Sequence, residues 1–408
     1  MKIYTGIEIG TNSIKLVILS KVNNKFHLID KAEAKTEGVK KGKIINVKSV
    51  VHDLSDIKNR LEEDLKIRIT KAVICIPSYS ILFDIVSGKT EVSKDYVTGD
   101  DVTEVIKNAV ENKIDRDYEL ITTCPIGFRL DNKKEYKNPI GKKSKTLESK
   151  MVIASTKKTE LYPLLDVLEL CRISLVDITF KGIGDYYEVR NNKTDSSVGA
   201  IINIGEDTTN ISIYNKGIMI KSSIINVGSH HVDHDISYAY KLDLRESRKL
   251  KEEYISASTR YADKYDEMEL DNEANEKIKI NQYEMTKVAE ARIVEILKLA
   301  KKEIKNLTNR KISYIIILGG LSEMTGFHYV ASNILGDIAE VWSSDTLGIR
   351  HNKYASIIGT IKYFDDKLML RDKEIKMFID EDIERLTKNI DINNDETFKK
   401  FQSLRRMR

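Results

Sequence analysis

The same local pattern occurs twice in this chain, at its beginning and again near its middle, and this repetition limits the possible architectures more than any other feature. Residues 2–9 alternate up to Gly10, and two further extended runs follow at 14–20 (IKLVILS) and 26–33 (FHLIDKAE). Alternation of this kind, bounded by turn residues, reads as an antiparallel meander. VGAIINIG (198–205) restarts the grammar: strand, glycine turn, then ISIYNKG and IMIKSSIINVG. The chain is therefore internally duplicated. A helix over about 49–65 places Val50, Val51, Leu54, Ile57 and Leu61 on one face, and KAVICIP (71–77) follows as a strand apolar on both sides, so the class is α/β.

Between 83 and 157 the pattern changes to a β-rich unit with one clear helix, 100–112, whose N-cap is expected at Gly99 or Asp100. This is an inserted small α+β domain. The division expected is 1–82 with 158–196 as the first domain, a helix near 353–365 packing back onto it, 83–157 as the insert, 197–365 as the second domain with its upper subdomain, and 366–408 as a charged tail. Helices are expected at 158–171, 182–190, 230–256 and 284–306, and a third glycine turn, Gly319-Gly320, opens a helix near Met324.

Composition excludes several classes. The formal charge of +4 is spread over 67 basic and 63 acidic residues, without the clustering that nucleic-acid binding requires. Cys75, Cys124 and Cys171 are odd in number and far apart, which argues against disulfides and a zinc site and for a reducing compartment. No apolar run approaches a membrane span, and the N-terminus reads as a strand and not as a signal peptide.

Each half presents a hairpin whose tip is a glycine followed by hydroxyl, amide or acidic residues: Gly10-Thr11-Asn12-Ser13, and Gly205-Glu206-Asp207-Thr208-Thr209-Asn210. Backbone N–H groups and hydroxyls at two such tips can cradle phosphate from both sides. Gly319-Gly320 would let a ligand approach the backbone ahead of a helix N-terminus, a place for a nucleoside or α-phosphate. His230 and His234 stand at metal-ligand spacing on a helix, but a polar helix N-terminus is the better account of them. Seven lysines in 132–150 against Glu135 and Glu148 make either a solvated loop or a contact with an acidic neighbouring subunit.

These residues carry a resemblance. GIEIGTNSIKLVI is similar to the first phosphate loop of the actin and Hsp70 superfamily, AIINIGEDTTNISIY to its second, and IIILGGLSEMTGF to its adenosine loop. TEGVKKGKIINVKSVVHDL (36–54), the insert with KNPIG (137–141) and EARIVEILKLAKKEI (290–304) resemble the bacterial cell-division FtsA family within it. The resemblance implies a duplicated actin-like ATPase fold of two ribonuclease-H-like halves with an inserted SHS2-type domain. It implies a scaffold that binds ATP, with Mg²⁺, and tethers FtsZ filaments to the inner face of the cytoplasmic membrane at the division site. Self-association through the insert is implied too.

Carried over residue by residue, the resemblance makes Gly10, Thr11, Asn12, Ser13, Lys15, Gly205, Thr208, Thr209, Lys251, Gly319 and Gly320 the nucleotide contacts, and Glu8 the acid that orients water or Mg²⁺. The chain departs from the family in its second half. Asn203 stands at the acidic position, Glu206 and Asp207 replace glycines, and Arg248 replaces a ribose-binding glutamate. An amide is no general base and acids beside a triphosphate repel it, so weak or no hydrolysis is expected and no catalytic residue is assigned. Glu206 or Asp207 remains an alternative Mg²⁺ ligand. A small-molecule kinase, which needs that missing acid, and an actin-like pilus or secretion adaptor are the alternatives. FtsZ's tail is expected on Lys287, Arg292, Lys298 and Lys302. The last eleven residues carry five basic and no acidic side chains. The resemblance implies a membrane anchor on Phe398, Lys399, Lys400, Phe401, Leu404, Arg405 and Arg406, with Met407, although the apolar residues recur every three and make a poor amphipathic helix, and a solvated tail is the alternative.

Overall fold

A computed structural model describes residues 2–387, apart from 273 and 275. The first half opens with β1 (Lys2–Ile9), β2 (Ser13–Val22) and β3 (Lys25–Lys35), followed by the two-residue strands β4 (Val39–Lys40) and β5 (Lys43–Ile44). Helix α1 (Val47–Leu65) starts where the Asn46 side chain accepts from the Ser49 N–H and stops at Lys66, whose φ of 54° is left-handed. β6 (Lys71–Ile76) then runs parallel to β1.

The insert is β7 (Leu82–Glu91), α2 (Gly99–Val110), β8 (Tyr118–Leu130), β9 (Glu135–Tyr136) and β10 (Thr146–Lys157), with sheet order β7-β10-β8-β9 and α2 packed across it. The cap of α2 is Thr98, one residue before the expected position. Its hydroxyl accepts from the Asp101 N–H while the Asp101 carboxylate accepts from the Thr98 N–H, and this reciprocal pair outcompetes Gly99 and Asp100. The chain returns through α3 (Lys158–Leu170), β11 (Ser174–Phe180), α4 (Lys181–Val189) and the short α5 (Asn192–Ser196).

The second half repeats the first with β12 (Val198–Ile204), β13 (Thr209–Asn215) and β14 (Ile218–Ile225). The expected long helix 230–256 is two, α6 (His230–Tyr240) and α7 (Leu244–Glu253), because Lys241 turns left-handed at φ 53° and Asp243 caps a new start. The hairpin β15 (Glu267–Asp271) and β16 (Lys277–Asn281) leads into α8 (Gln282–Leu307), then β17 (Tyr314–Leu318), α9 (Phe327–Leu335) and β18 (Ala339–Val341). α10 (Ala355–Leu370) and α11 (Asp380–Thr387) end the described chain.

Two five-stranded sheets result, in the order β11-β6-β1-β2-β3 and, read in the same sense, β18-β17-β12-β13-β14. Strand for strand the pairing directions agree: β1 is antiparallel to β2 and parallel to β6, as β12 is to β13 and β17. α4 carries the chain out of the first half and α10 returns against it. They cross at Gly184 and Gly359, where a Cβ on Gly359 would lie 1.8 Å from the Gly184 carbonyl oxygen.

The first part of the expected charged tail, 366–408, packs against the body. α10 continues to Leu370, and Met377, Phe378 and Leu386 are buried in the first half's core. Apolar side chains spaced along a charged segment anchor it, which composition alone hides. The membrane segment, 398–407, lies outside the described residues. Among the described residues no helix is long and apolar enough to cross a membrane.

Candidate functional site

The two hairpin tips are built alike. The Gly10 N–H donates to the Ser13 carbonyl at 2.9 Å, and the Gly205 N–H donates to the Thr208 carbonyl at 2.9 Å. Among the described residues, nothing takes the backbone N–H groups of Thr11 and Asn12 or of Glu206 and Asp207. Each tip thus presents a pair of oriented donors to an anion.

Beneath the first tip lies a row of charge. Strand register sets Cys75, Glu8, Lys15 and Glu33 side by side across β6, β1, β2 and β3. Lys15 Nζ is 3.4 Å from Glu8 Oε1, Lys181 Nζ is 2.8 Å from the same oxygen, and Lys353 Nζ is 2.7 Å from Glu33 Oε2. Burial opposes ionisation of Glu8, but the Lys15 and Lys181 ammonium groups outweigh it and hold the carboxyl below its ordinary value. Glu8 raises the Lys181 ammonium in turn, against its own desolvation. Cys75, buried beside them, is pushed up, chiefly by burial.

The second half answers this ionic row with amides. Asn203 pairs in register with Asn210 as Glu8 pairs with Lys15. The Asn203 amide donates to Asp185 Oδ1 at 2.8 Å and approaches Ser356 Oγ at 3.0 Å, while the Ser356 hydroxyl donates to Asp185 Oδ1 at 2.6 Å. Asp185 is fully buried, and its carboxyl is pushed up to about 6, mainly by desolvation. Lys181 and Asp185 are one turn apart on α4, so this helix links Glu8 in one half to Asn203 in the other. Neither residue stood out in the sequence. Their only signal was position, at the start of the helix that leaves the first half.

Other expected contacts have different surroundings. Thr209 is buried and its hydroxyl donates to the Val227 carbonyl at 2.8 Å, so of that pair only Thr208, half-buried, is accessible at the tip. Lys251 is buried, 2.6 Å from Asp233 Oδ1, and Arg248 bridges Asp233 to Glu206 at 3.0 Å. The repulsion expected from Glu206 is therefore offset by Arg248. Gly319, at φ 100°, would place a Cβ 2.0 Å from the Ile204 carbonyl, so it is required for close backbone packing; Gly320 is open. The helix expected near Met324 begins at Phe327, and a short 3₁₀ turn (Gly320–Glu323) follows the glycines instead. Tyr79, from the first half, lies 3.5 Å from Asn226 in the second, near Asp207 and Thr208.

The four tip N–H groups, without partners among the described residues, are a donor set that suits an anionic group such as phosphate. Mg²⁺ fits the site poorly. Glu8 Oε2 and Asp185 Oδ2 are buried without hydrogen-bond partners, but two ammonium groups already hold Glu8, and Asn203 brings a neutral amide in place of the family's carboxylate. Among the described residues no group of three or more His, Cys, Asp or Glu is arranged to hold a metal, which covers the His230–His234 cluster as well.

On α8 the expected partner residues divide. Arg292 is committed to Asp235 at 2.6 and 2.8 Å, and Lys287 pairs with Glu284 at 2.7 Å. Lys298 and Lys302 are exposed, one turn apart.

Two matched sheets joined by crossing helices, each half carrying a glycine hairpin tip, define an actin-like protein. Solved structures of the same fold include the PilM-PilN type IV pilus biogenesis complex (14% identity, TM-score 0.58, 88% of this chain and 97% of that chain). MreB5 of Spiroplasma citri bound to ADP is similar as well (14%, TM-score 0.55, 91% and 99%). Within that class the chain belongs to the FtsA family. The family model for cell division protein FtsA matches residues 200–359, and that for the SHS2 domain inserted in FtsA matches 80–155. Cell division protein FtsA of Bacillus subtilis (strain 168) is 23% identical over 370 residues, 89% of this chain and 83% of that protein. That of Buchnera aphidicola subsp. Schizaphis graminum is 24% identical over 386 residues, 90% and 92%.

Proposed function

We propose that this chain is a division scaffold that binds nucleotide, turns it over slowly or not at all, and links FtsZ filaments to the inner face of the cytoplasmic membrane. The observation carrying the non-catalytic reading is the state of the two signature positions. Asn203 has no carboxylate and its amide is spent on Asp185 and Ser356, while Glu8 is held by two lysines. An amide cannot accept a proton from a water at the tips, and Glu8, its carboxyl held below its ordinary value by Lys15 and Lys181 against its own burial, is a weak base, so general-base help, usually worth about 10²–10⁴-fold, is largely missing. ATP would lie between the tips, with Thr11, Asn12, Glu206 and Asp207 donating backbone N–H groups to its phosphates and Thr208 adding a hydroxyl.

Family membership favours FtsZ and the membrane as partners over a pilus or secretion apparatus, and the missing acid disfavours a kinase. The exposed pair Lys298 and Lys302 suits an acidic and apolar tail. The test has two readouts: co-sedimentation with FtsZ filaments, and phosphate release from ATP. Binding to filaments with negligible release is expected. Steady turnover of several per minute, abolished by Lys15→Ala, would overturn the scaffold reading.

A further inference from the structure

We propose that this cleft takes the polyphosphate of a nucleotide without a divalent metal, the ammonium of Lys181 standing where the cation would be needed. The inference rests on the nucleotide reading above and goes beyond it by naming the counter-charge. Lys181 begins α4, and its Nζ sits 2.8 Å from Glu8 Oε1, the acid that would otherwise orient a metal or its water. Glu8 is fully buried and lies directly under the first tip: a Cβ on Gly10 would be 3.8 Å from Glu8 Oε1. A metal at Glu8 would have to displace a buried ion pair and sit against two like charges, Lys15 and Lys181.

The second half offers little in its place. The Asn203 amide is oriented by its two acceptors, Asp185 and Ser356, and Glu206 is held by Arg248. Asp207 is a single carboxylate, so a Mg²⁺ here would depend on phosphate oxygens and waters for the rest of its octahedron. The positive charge facing the phosphates is thus supplied by the chain itself: Lys181, a fifth of whose side chain is exposed, backed by Lys15. An ammonium contributes charge without coordination geometry, which matches phosphate held mainly by backbone N–H groups.

The experiment is a calorimetric titration of the full chain with ATP, once in EDTA and once in excess MgCl₂. Affinity in EDTA equal to that in Mg²⁺ within about threefold, well under one tenfold step of 1.4 kcal/mol, is expected. Lys181→Ala should weaken binding in EDTA by about tenfold or more, the loss of one charge-assisted contact, while Lys181→Arg keeps most of it. Binding seen only with Mg²⁺, or strengthened by it more than about tenfold, would overturn the inference and leave the nucleotide reading intact. No binding in either buffer would remove the nucleotide reading and this inference with it. The wild-type comparison decides the matter even if Lys181→Ala fails to fold.

Discussion

Asn203 and Asp185 form the most consequential pair at the scale of single residues. Restoring the family's acid by Asn203→Asp would, on sequence grounds alone, raise a residual hydrolysis rate. The structure reverses that expectation, because the new carboxylate would replace a donor lying 2.8 Å from Asp185 Oδ1. Two buried carboxylates facing each other cannot both ionise. Asn203→Asp is predicted to lower stability at pH 7.5 by about 3 kcal/mol, the scale of an uncompensated buried charge, without raising phosphate release. The double variant Asn203→Asp with Asp185→Asn exchanges the partners and should recover much of the loss in chemical denaturation. Asp185 also predicts a pH dependence. Its folded value, pushed up to about 6, exceeds the ordinary aspartate value, so the native state binds the extra proton. The group's contribution is complete below about pH 4 and is lost as pH rises through about 6. Asp185→Asn should flatten that part of the stability-against-pH curve, and an unchanged curve would place the titration elsewhere. Glu8 and Asn203 were readable because each precedes a glycine turn by two residues. Lys181 and Asp185 were not, since only tertiary packing brings α4 under both tips.

At the scale of elements, the crossing of α4 and α10 controls how the halves meet. A Cβ on Gly359 would meet only backbone, the Gly184 carbonyl and the Glu188 nitrogen, with no flexible side chain there to move aside. Gly359→Ala is predicted to cost about 2–3 kcal/mol by overpacking, whereas Gly127→Ala, whose Cβ would meet only the Tyr136 carbonyl at 3.8 Å, should stay within about 0.5 kcal/mol. Thermal melts of the two variants give the comparison. On α8 the structure selects which charges can be tested. Arg292→Glu would break the bidentate pair with Asp235 and confound affinity with stability. Lys298→Glu with Lys302→Glu should instead weaken an FtsZ tail peptide by about tenfold with little change in melting temperature. Unchanged affinity would move the partner site off this helix. Helix and strand periods made most elements legible in the sequence. The break at Lys241 and the late start of α9 were not, because a left-handed residue and a glycine cap at Gly326 leave the apolar period almost undisturbed.

For the whole molecule, the duplicated sheets and the insert followed from the repeated strand and turn pattern, whereas the docking of 371–387 did not, because its apolar anchors, Met377, Phe378, Ile383 and Leu386, are spaced among charged neighbours. That docking leaves the basic end, residues 398–408, as the segment on which membrane attachment depends in this account. Five basic side chains with four apolar ones on a drifting stripe should bind anionic vesicles mainly by electrostatics. The Debye length falls from about 8 Å at physiological salt to about 3 Å at 1 M, so flotation should fall steeply across that range and be lost in a chain ending at Thr397. Equal flotation of the full and shortened chains would remove the tail from the mechanism. The central claim is that one chain joins filament to membrane without needing turnover, and a single measurement addresses it. FtsZ filaments are mixed with vesicles containing anionic lipid and floated with and without this protein, with ATP present and phosphate release followed in the same tube. The account predicts FtsZ in the floated fraction only when the protein is present, with negligible release attributable to the protein after FtsZ's own nucleotide turnover is subtracted. FtsZ left in the pellet, or recruited only while the protein hydrolyses ATP, would contradict it.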